Sequence, residues 1–76
     1  MNQKATHQFT ITANDRLGAL ERILRVVRHR GGHIEQMQMQ SIDSQLFTLT
    51  LTLTTERTLS SLQNQITKLE DVITLE

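Results

Sequence analysis

Residues 14–34 read NDRLGALERILRVVRHRGGHI and contain the longest clean helical pattern of the chain together with all three of its glycines. Apolar residues recur there at spacings of three and four, which places them on one stripe of a helix: Leu20, Ile23, Leu24 and Val27. Charged residues occupy the other side. The helix therefore needs an apolar surface, such as one face of a sheet, to cover its stripe.

Both ends of this helix carry residues that commonly mark helix boundaries. Asp15 is placed to cap the start, because its carboxylate can accept from free backbone N–H groups at the positive end of the helix dipole. Gly18 falls in the opening turn and costs roughly 1 kcal/mol relative to alanine, so it predicts a close approach of backbone or ligand. Gly31 and Gly32 follow a basic last turn and predict a left-handed C-cap.

Alternation of apolar and polar residues predicts four strands around this helix. They are His7 to Ala13, His33 to Ile42, Phe47 to Thr54, and a short run from Asp71 to Glu76. In the second strand Ile34 and Ile42 have the opposite parity to Met37. Either a bulge intervenes or the two isoleucines face away from the methionines, and a bulge would be typical of an edge strand.

A second helical pattern runs from Leu59 to Leu69, with Thr55 placed to cap it. The resulting order β-α-β-β-α-β is that of the ferredoxin-like α+β sandwich, an antiparallel sheet with two helices on one face. Right-handed crossovers place the first and third strands at the centre and the other two at the edges. The opposite face is rich in threonine and glutamine and uncharged, which suits both solvation and contact with another protein.

Length and composition limit what the chain can do. With 76 residues, it has room for one domain, 1–76, with a core of about 6–76. A chain of this size buries only about 60% of its unfolded surface, so we expect association with a partner. Zero net charge argues against nucleic-acid or membrane binding. The polar opening, the lack of cysteine and the lack of a long apolar run indicate a cytoplasmic protein.

The residues give little support for catalysis or metal binding. No nucleophile triad, phosphate-binding glycine motif or facing carboxylate pair is present. An acyl-phosphate hydrolase on this fold would need a glycine-rich loop, and the loop around Arg16 is too short. The three histidines, His7, His29 and His33, are scattered, as surface histidines are. RNA binding would need aromatic residues on the exposed sheet face, whereas Phe9 and Phe47 share the parity of the core.

The loop before the first helix is the remaining candidate site. Free N–H groups at a helix start can hold a small anion such as an amino-acid carboxylate. In the purely structural interpretation, Asp15 is a cap and Gly18 is a packing glycine. Spacing alone favours the structural interpretation.

Several segments resemble a known family. The pattern Asp15-x-x-Gly18 within 15–20 DRLGAL, followed by the helix and by 30–35 RGGHIE, resembles the ACT domain, a small amino-acid-binding regulatory module. Residues 21–31 ERILRVVRHRG and 65–72 QITKLEDV are similar to the small subunits of acetolactate synthase (acetohydroxyacid synthase), isozyme II type. The resemblance covers nearly the whole chain, and its two separated motifs occur in the correct order.

This resemblance implies a non-catalytic subunit that forms a homodimer through ACT sheet edges and activates a catalytic large subunit. The large subunit would use thiamine diphosphate, FAD and magnesium to condense pyruvate with pyruvate or 2-oxobutyrate, in branched-chain amino acid synthesis. No cofactor would be bound by this chain. We expect the large subunit to contact one of two surfaces. The first is the exposed face of the first helix, with Arg22, Arg25, Arg28 and His29, and the second is the threonine-rich face of the sheet.

The resemblance also implies where an effector such as valine would bind. The family's loop pair, Asn and Gly, corresponds to Asp15 and Gly18, with Leu17 between them. Its Asn-Ile pair at the start of the partner's second strand corresponds to His33 and Ile34. A carboxylate at position 15 would repel an effector carboxylate, so feedback control is an open question. A free-standing amino-acid sensor that regulates another enzyme is the alternative function.

Overall fold

The computed structural model describes residues 5–76, which form four strands and two helices. Residues 1–4, which belong to the predicted domain and its polar opening, lie outside the described residues. The elements are β1 (Ala5–Asn14), α1 (Ala19–His29), β2 (His33–Ser41), β3 (Leu46–Thr55), α2 (Leu59–Thr67) and β4 (Val72–Leu75). Their order confirms the predicted ferredoxin-like α+β sandwich.

The strands form one antiparallel sheet in the order β2-β3-β1-β4. β1 and β3 pair along their full length, from Ala5 opposite Thr55 to Asn14 opposite Leu46. β2 and β4 are the two edges, as predicted. The central pair carries the regular alternation, so one face of the sheet is continuously apolar.

The core lies between this apolar face and the two helices. Ile23 and Val27 of α1 and Leu62 and Ile66 of α2 are fully buried or nearly so. The stripe of α1 is rotated slightly from its predicted position, because Ala19 is buried whereas Leu20 and Leu24 are only partly buried. The sheet contributes the buried side chains of Phe9, Ile11, Ala13, Phe47, Leu49, Leu51 and Leu53.

A bulge in β2 resolves the two interpretations of that strand. Ile34 lies opposite Leu53 and Gln36 lies opposite Thr52, so the register shifts at the intervening residue. The bulge puts Ile34 and Met37 on the same face of the sheet, the face that carries the core. Ile42 lies beyond the end of β2 and is exposed.

The ends of the helices differ in part from prediction. Gly31 has φ +89°, its N–H donates to the Arg28 carbonyl, and the Gly32 N–H donates to Val27. This pair of bonds is a Schellman motif, which confirms the predicted glycine C-cap. The prediction for Thr55 is wrong, because Thr55 ends β3 and its hydroxyl accepts from the Arg57 N–H, while Thr58 precedes α2.

Candidate functional site

The loop between β1 and α1, residues 15–18, is held mainly by backbone hydrogen bonds. The Asp15 N–H donates to the Gln45 carbonyl, and the Ala19 N–H donates to the Arg16 carbonyl. The predicted capping role of Asp15 is wrong, because Gly18 is the N-cap residue and no side chain among residues 5–76 caps the helix. Gly18 has φ +81°, a conformation that costs an L-residue about 1–2 kcal/mol. The glycine is therefore required by the path of the chain into α1.

Arg22 and Asp71 form the best-defined polar contact near this loop. Arg22 Nε and Nη2 both lie 2.8 Å from Oδ2 of Asp71, whose side chain is only 5% exposed. Arg22 Nη2 also donates to the Leu17 carbonyl at 3.1 Å, and Arg16 Nη1 lies 4.0 Å from the other Asp71 oxygen. The buried carboxylate is thus neutralised by an arginine that also holds the loop.

Leu17, whose carbonyl accepts from Arg22, is 98% exposed. Next to it lies a groove of about 540 Å³ whose remaining lining residues come from the same loop, from α1 and from the turn before β4. They are Arg16, Arg22, Leu69, Glu70 and Asp71. Single exposed apolar side chains are common on protein surfaces, so Leu17 alone does not define a contact surface.

The other predicted half of the effector site lies where β2 begins. His33 and Ile34 line a hollow of about 390 Å³ together with Arg28 and the two glycines of the C-cap. His33 Nε2 lies 3.7 Å from a carboxylate oxygen of Glu35, and both side chains are at least half exposed. Gly32 has no room for a side chain, so this hollow is shaped by the close contact of the turn with α1.

These two halves do not meet within one chain. Gly18 precedes α1 and His33 follows it, and a helix of 11 residues is about 16 Å long. Asp15, Leu17 and Gly18 therefore lie at one end of the sandwich, and His33 and Ile34 at the other. A small ligand that touches both sets needs two copies of the chain that lie antiparallel, so that the loop end of one meets the β2 start of the other.

Most of the chain matches a known family: the ACT domain family matches residues 15–75. The chain belongs to the ACT domain family. The match begins at Asp15 and so includes the loop, α1 and the start of β2. It confirms the resemblance predicted from residues 15–20 and 30–35.

Curated relatives of this ACT domain are small subunits of one enzyme. The chain is 42% identical over 67 residues to the acetolactate synthase isozyme 2 small subunit of Escherichia coli K12, covering 87% of this chain and 77% of that protein. The protein of the same name from Shigella flexneri matches equally well. The resemblance to isozyme II small subunits is therefore confirmed.

Solved structures show the same ACT fold at low sequence identity. The ACT domain from GTP pyrophosphokinase of Chlorobium tepidum superimposes with a TM-score of 0.83 at 22% identity, over 97% of both chains. A homoserine dehydrogenase from Thiobacillus denitrificans superimposes with a TM-score of 0.74 at 21% identity, over 99% of this chain and 17% of that one. At these identities the likeness establishes the fold and says nothing about a ligand.

The basic face of α1 in this ACT domain divides into two parts. Arg25, Arg28 and His29 are exposed and have no ion pair within residues 5–76. Arg22 differs, because its guanidinium is bonded to Asp71 and its side chain is 47% exposed. The predicted contact set is therefore one inward-bonded arginine and three side chains free to meet another molecule.

The open face of the ACT sheet is uncharged at its centre. Gln8 Nε2 donates to the Thr52 hydroxyl at 3.1 Å, and the hydroxyls of Thr10 and Thr50 lie 3.0 Å apart. Thr54 is an exception, because it is buried and its hydroxyl has no partner among the residues that the structure describes. Cross-strand hydrogen bonds of this kind satisfy polar side chains of the open face, so that less free energy is lost when another protein covers this face and removes its water.

Two further findings concern metals and membranes. Within residues 5–76 no group of three or more His, Cys, Asp or Glu side chains could hold a metal ion. His7 lies in β1, His29 ends α1 and His33 begins β2. In the same part of the chain, neither helix has the length and apolar character needed to cross a membrane.

Asp71 was not predicted to lie in this region. Its position in the sequence predicts only the start of the last strand, and the segment 65–72 that contains it contributes only to the family resemblance. A possible signal was an acidic residue directly before a β-branched run, where a buried strand would not tolerate an unpaired charge. The arginine that pairs with it lies 49 residues away, which no local pattern reveals.

Proposed function

We propose that this chain is the non-catalytic, activating small subunit of an acetolactate synthase. The observation that carries the proposal is the 42% identity to the E. coli isozyme 2 small subunit across 87% of this chain. The chain would act by contact with a catalytic large subunit that makes precursors of valine, leucine and isoleucine. Thiamine diphosphate, FAD and magnesium would belong to that large subunit.

The exposed arginines of α1, with His29 beside them, support a contact with an acidic surface of the large subunit. Arg25, Arg28 and His29 project from one helix face and have no carboxylate within 4.0 Å among residues 5–76. A concentration of one charge on a chain of zero net charge favours a partner of the opposite charge. Such a surface speeds encounter and selects orientation. The uncharged face of the sheet is the second candidate for this contact.

The free edge of β2 supports a homodimer. β2 spans nine residues and pairs with β3 on one side only, so the backbone groups that point to its outer side have no strand partner among residues 5–76. Met37 and Met39 are 46% and 41% exposed beside this edge, although both belong to the core face. A second copy paired at this edge would continue the sheet and cover both methionines.

Such a dimer can also bring the two halves of the effector site together. The loop residues Asp15, Leu17 and Gly18 of one copy would face His33 and Ile34 of the other. A carboxylate at Asp15 can accept from an effector ammonium but repels its carboxylate. We therefore propose that any branched-chain amino acid is held mainly through its ammonium group and side chain.

Reconstitution tests the activating function. Purified large subunit from the same cell is titrated with this chain, and acetolactate formation is measured. We expect activity to rise to a plateau with the wild-type chain. For the triple variant R25A/R28A/H29A, the concentration that gives half of the plateau activity should be at least about tenfold higher. The variant S60A/S61A/N64A makes a matched set of changes on the exposed face of α2 and should behave as wild type.

The result that contradicts the proposal is a large subunit whose activity is unaffected by the wild-type chain at any concentration. If R25A/R28A/H29A activates as well as the wild type, the helix face is excluded and the threonine-rich sheet face becomes the contact to test. Calorimetry with valine, leucine and isoleucine distinguishes the small subunit from the alternative function, a free-standing amino-acid sensor. A sensor would bind one of these amino acids, and the chain would have no effect on the synthase.

A further inference from the structure

The two flanks of α1 face different neighbours. Val26 and His29 line a hollow of about 220 Å³ together with Gln65 of α2, so this flank faces the second helix. Arg28 lines the hollow that contains His33 at the start of β2. α1 also contacts β2, whereas α2 contacts β4. The flank that carries Arg28 therefore faces the edge strand proposed for the dimer.

Leucines occupy the rest of the flank that faces β2. Leu20 and Leu24 precede Arg28 at steps of four residues, which keeps all three on one side of the helix. Both leucines are only partly buried against the core. Met37 of β2 lies on the core face of the sheet and is 46% exposed. These apolar side chains lie at the free edge of the sheet, and a second copy paired through β2 would cover them.

Two opposite charges lie at the outer margin of the same flank. Glu21 and Arg28 are seven residues apart, which is about 20° short of two helical turns, so they lie nearly in line along α1. Glu21 belongs to the first turn and Arg28 to the last. Both are exposed, and neither has an ion pair among residues 5–76. The flank is thus negative toward its start and positive toward its end.

An antiparallel pair of β2 strands brings opposite ends of two α1 helices together. Met37 is the midpoint of β2, and Leu24 is the midpoint of α1. A two-fold axis beside these midpoints makes the helices antiparallel and places Glu21 of one copy beside Arg28 of the other, at two equivalent positions. Because α1 crosses β3 on its way from β1 to β2, the helix axes are at most three strand spacings, about 14 Å, apart. A glutamate and an arginine together can span this gap.

We infer that α1 forms a second layer of the homodimer interface, in which Glu21 of each copy pairs with Arg28 of the other. This inference rests on the β2 dimer of the proposed function. The pairs select the antiparallel arrangement, because parallel helices would place like charges side by side. Arg28 then serves the dimer, whereas Arg25 and His29 remain available to the large subunit.

Charge reversal tests the pairing, with the dimer dissociation constant measured by sedimentation equilibrium at low ionic strength. E21R and R28E should each raise this constant about tenfold, since each brings like charges together at two places. The double variant E21R/R28E should return the constant to within about threefold of the wild type, because the pairs re-form with exchanged signs. Added salt should reduce the differences between these variants.

A mixture of the two single variants provides an independent measurement. E21R has arginine at both positions and R28E has glutamate at both, so a heterodimer has two favourable pairs and each homodimer has none. Native mass spectrometry should therefore show an excess of heterodimer over random mixing. R25E is the matched control, because it makes the same change of charge on the part of α1 that faces α2. It should dimerise as the wild type does.

Equal dissociation constants for R28E and R25E would overturn the inference, as would random mixing of E21R with R28E. E21Q and R28Q keep the comparison decisive where a reversed variant does not fold, because each removes the pairs without repulsion and should weaken the dimer by a smaller factor. A wild-type chain that stays monomeric would contradict both the proposed dimer and the contact between helices. A dimer that M37K/M39K disrupts and R28E does not would retain the β2 pairing and contradict only the contact between helices.

Discussion

A β carbon on Gly32 would lie 2.9 Å from the carbonyl oxygen of Val27, which accepts the Gly32 N–H at 2.8 Å. On another side, Cδ1 of Leu62 in α2 would lie 3.1 Å from the same added β carbon. The turn from α1 into β2 is therefore packed against both helices. This contact fixes where His33 and Ile34 begin the second strand.

Gly32→Ala is expected to destabilise the fold by about 1–3 kcal/mol, because the added methyl overlaps a backbone oxygen that cannot move without breaking the helix end. Urea unfolding measures the change as a lower midpoint. Ser61→Ala on the exposed side of α2 is the control and should unfold as the wild type does. Equal midpoints for G32A and wild type would show that the turn can relax.

Gly18→Ala should cost about 1–2 kcal/mol, because alanine is strained at φ +81°. For a domain of this size that corresponds to a fall in Tm of roughly 4–16 °C. Gly18→Asn should lose less, since asparagine adopts this conformation more readily than alanine. A Tm of G18A at or above that of G18N would contradict the proposed role of backbone conformation.

Thr54→Val is expected to raise stability by about 1 kcal/mol, since it removes a buried hydroxyl that has no partner among residues 5–76 while keeping the shape of the side chain. Thr50→Val is the matched control, because it removes a hydroxyl that lies 3.0 Å from that of Thr10. Thr50→Val should lower the free energy of unfolding by about 0.5–1.5 kcal/mol. Chemical denaturation compares the two, and equal effects would contradict the distinction between them.

If two copies pair at β2 as proposed, the double variant M37K/M39K should be monomeric and folded. Both methionines are already partly exposed, so lysine can reach water in the monomer, whereas two copies paired at β2 would bring four ammonium groups together. Sedimentation analysis gives the oligomeric state and circular dichroism the fold. Ile73→Lys on the opposite edge is the control. A dimer that persists in M37K/M39K would exclude pairing through β2.

Periodicity predicted most of the fold, because the spacing of apolar residues within each helix or strand identifies the face that is buried. The alternation of Phe47, Leu49, Leu51 and Leu53 identified β3, and the glycines of residues 31 and 32 identified the end of α1. The caps were predicted less well. Asp15 and Thr55 are good capping residues, yet the chain enters each helix by a different path, which depends on how the preceding strand is packed.

The loop before α1 was a candidate anion site from its position at a helix start, and the individual effector residues were assigned through resemblance. Asp15, Gly18, His33 and Ile34 were matched to the family pattern, and the structure adds that the two pairs lie at opposite ends of α1. Leu17 gave no sign of its full exposure, because a single leucine in a loop sequence is equally compatible with a buried contact. Exposure is a property of the surrounding surface and not of the residue.

The sequence by itself determined the element order, the buried faces and the family, because these follow from local spacing and from matched segments along the chain. Only the tertiary structure decided the role of Arg22. On a helical pattern it is one of several exposed cations, and it becomes a loop-holding residue because α1 passes within reach of Asp71, 49 residues later. Charge pairing across such a distance depends on three-dimensional position, which periodicity along the chain does not contain.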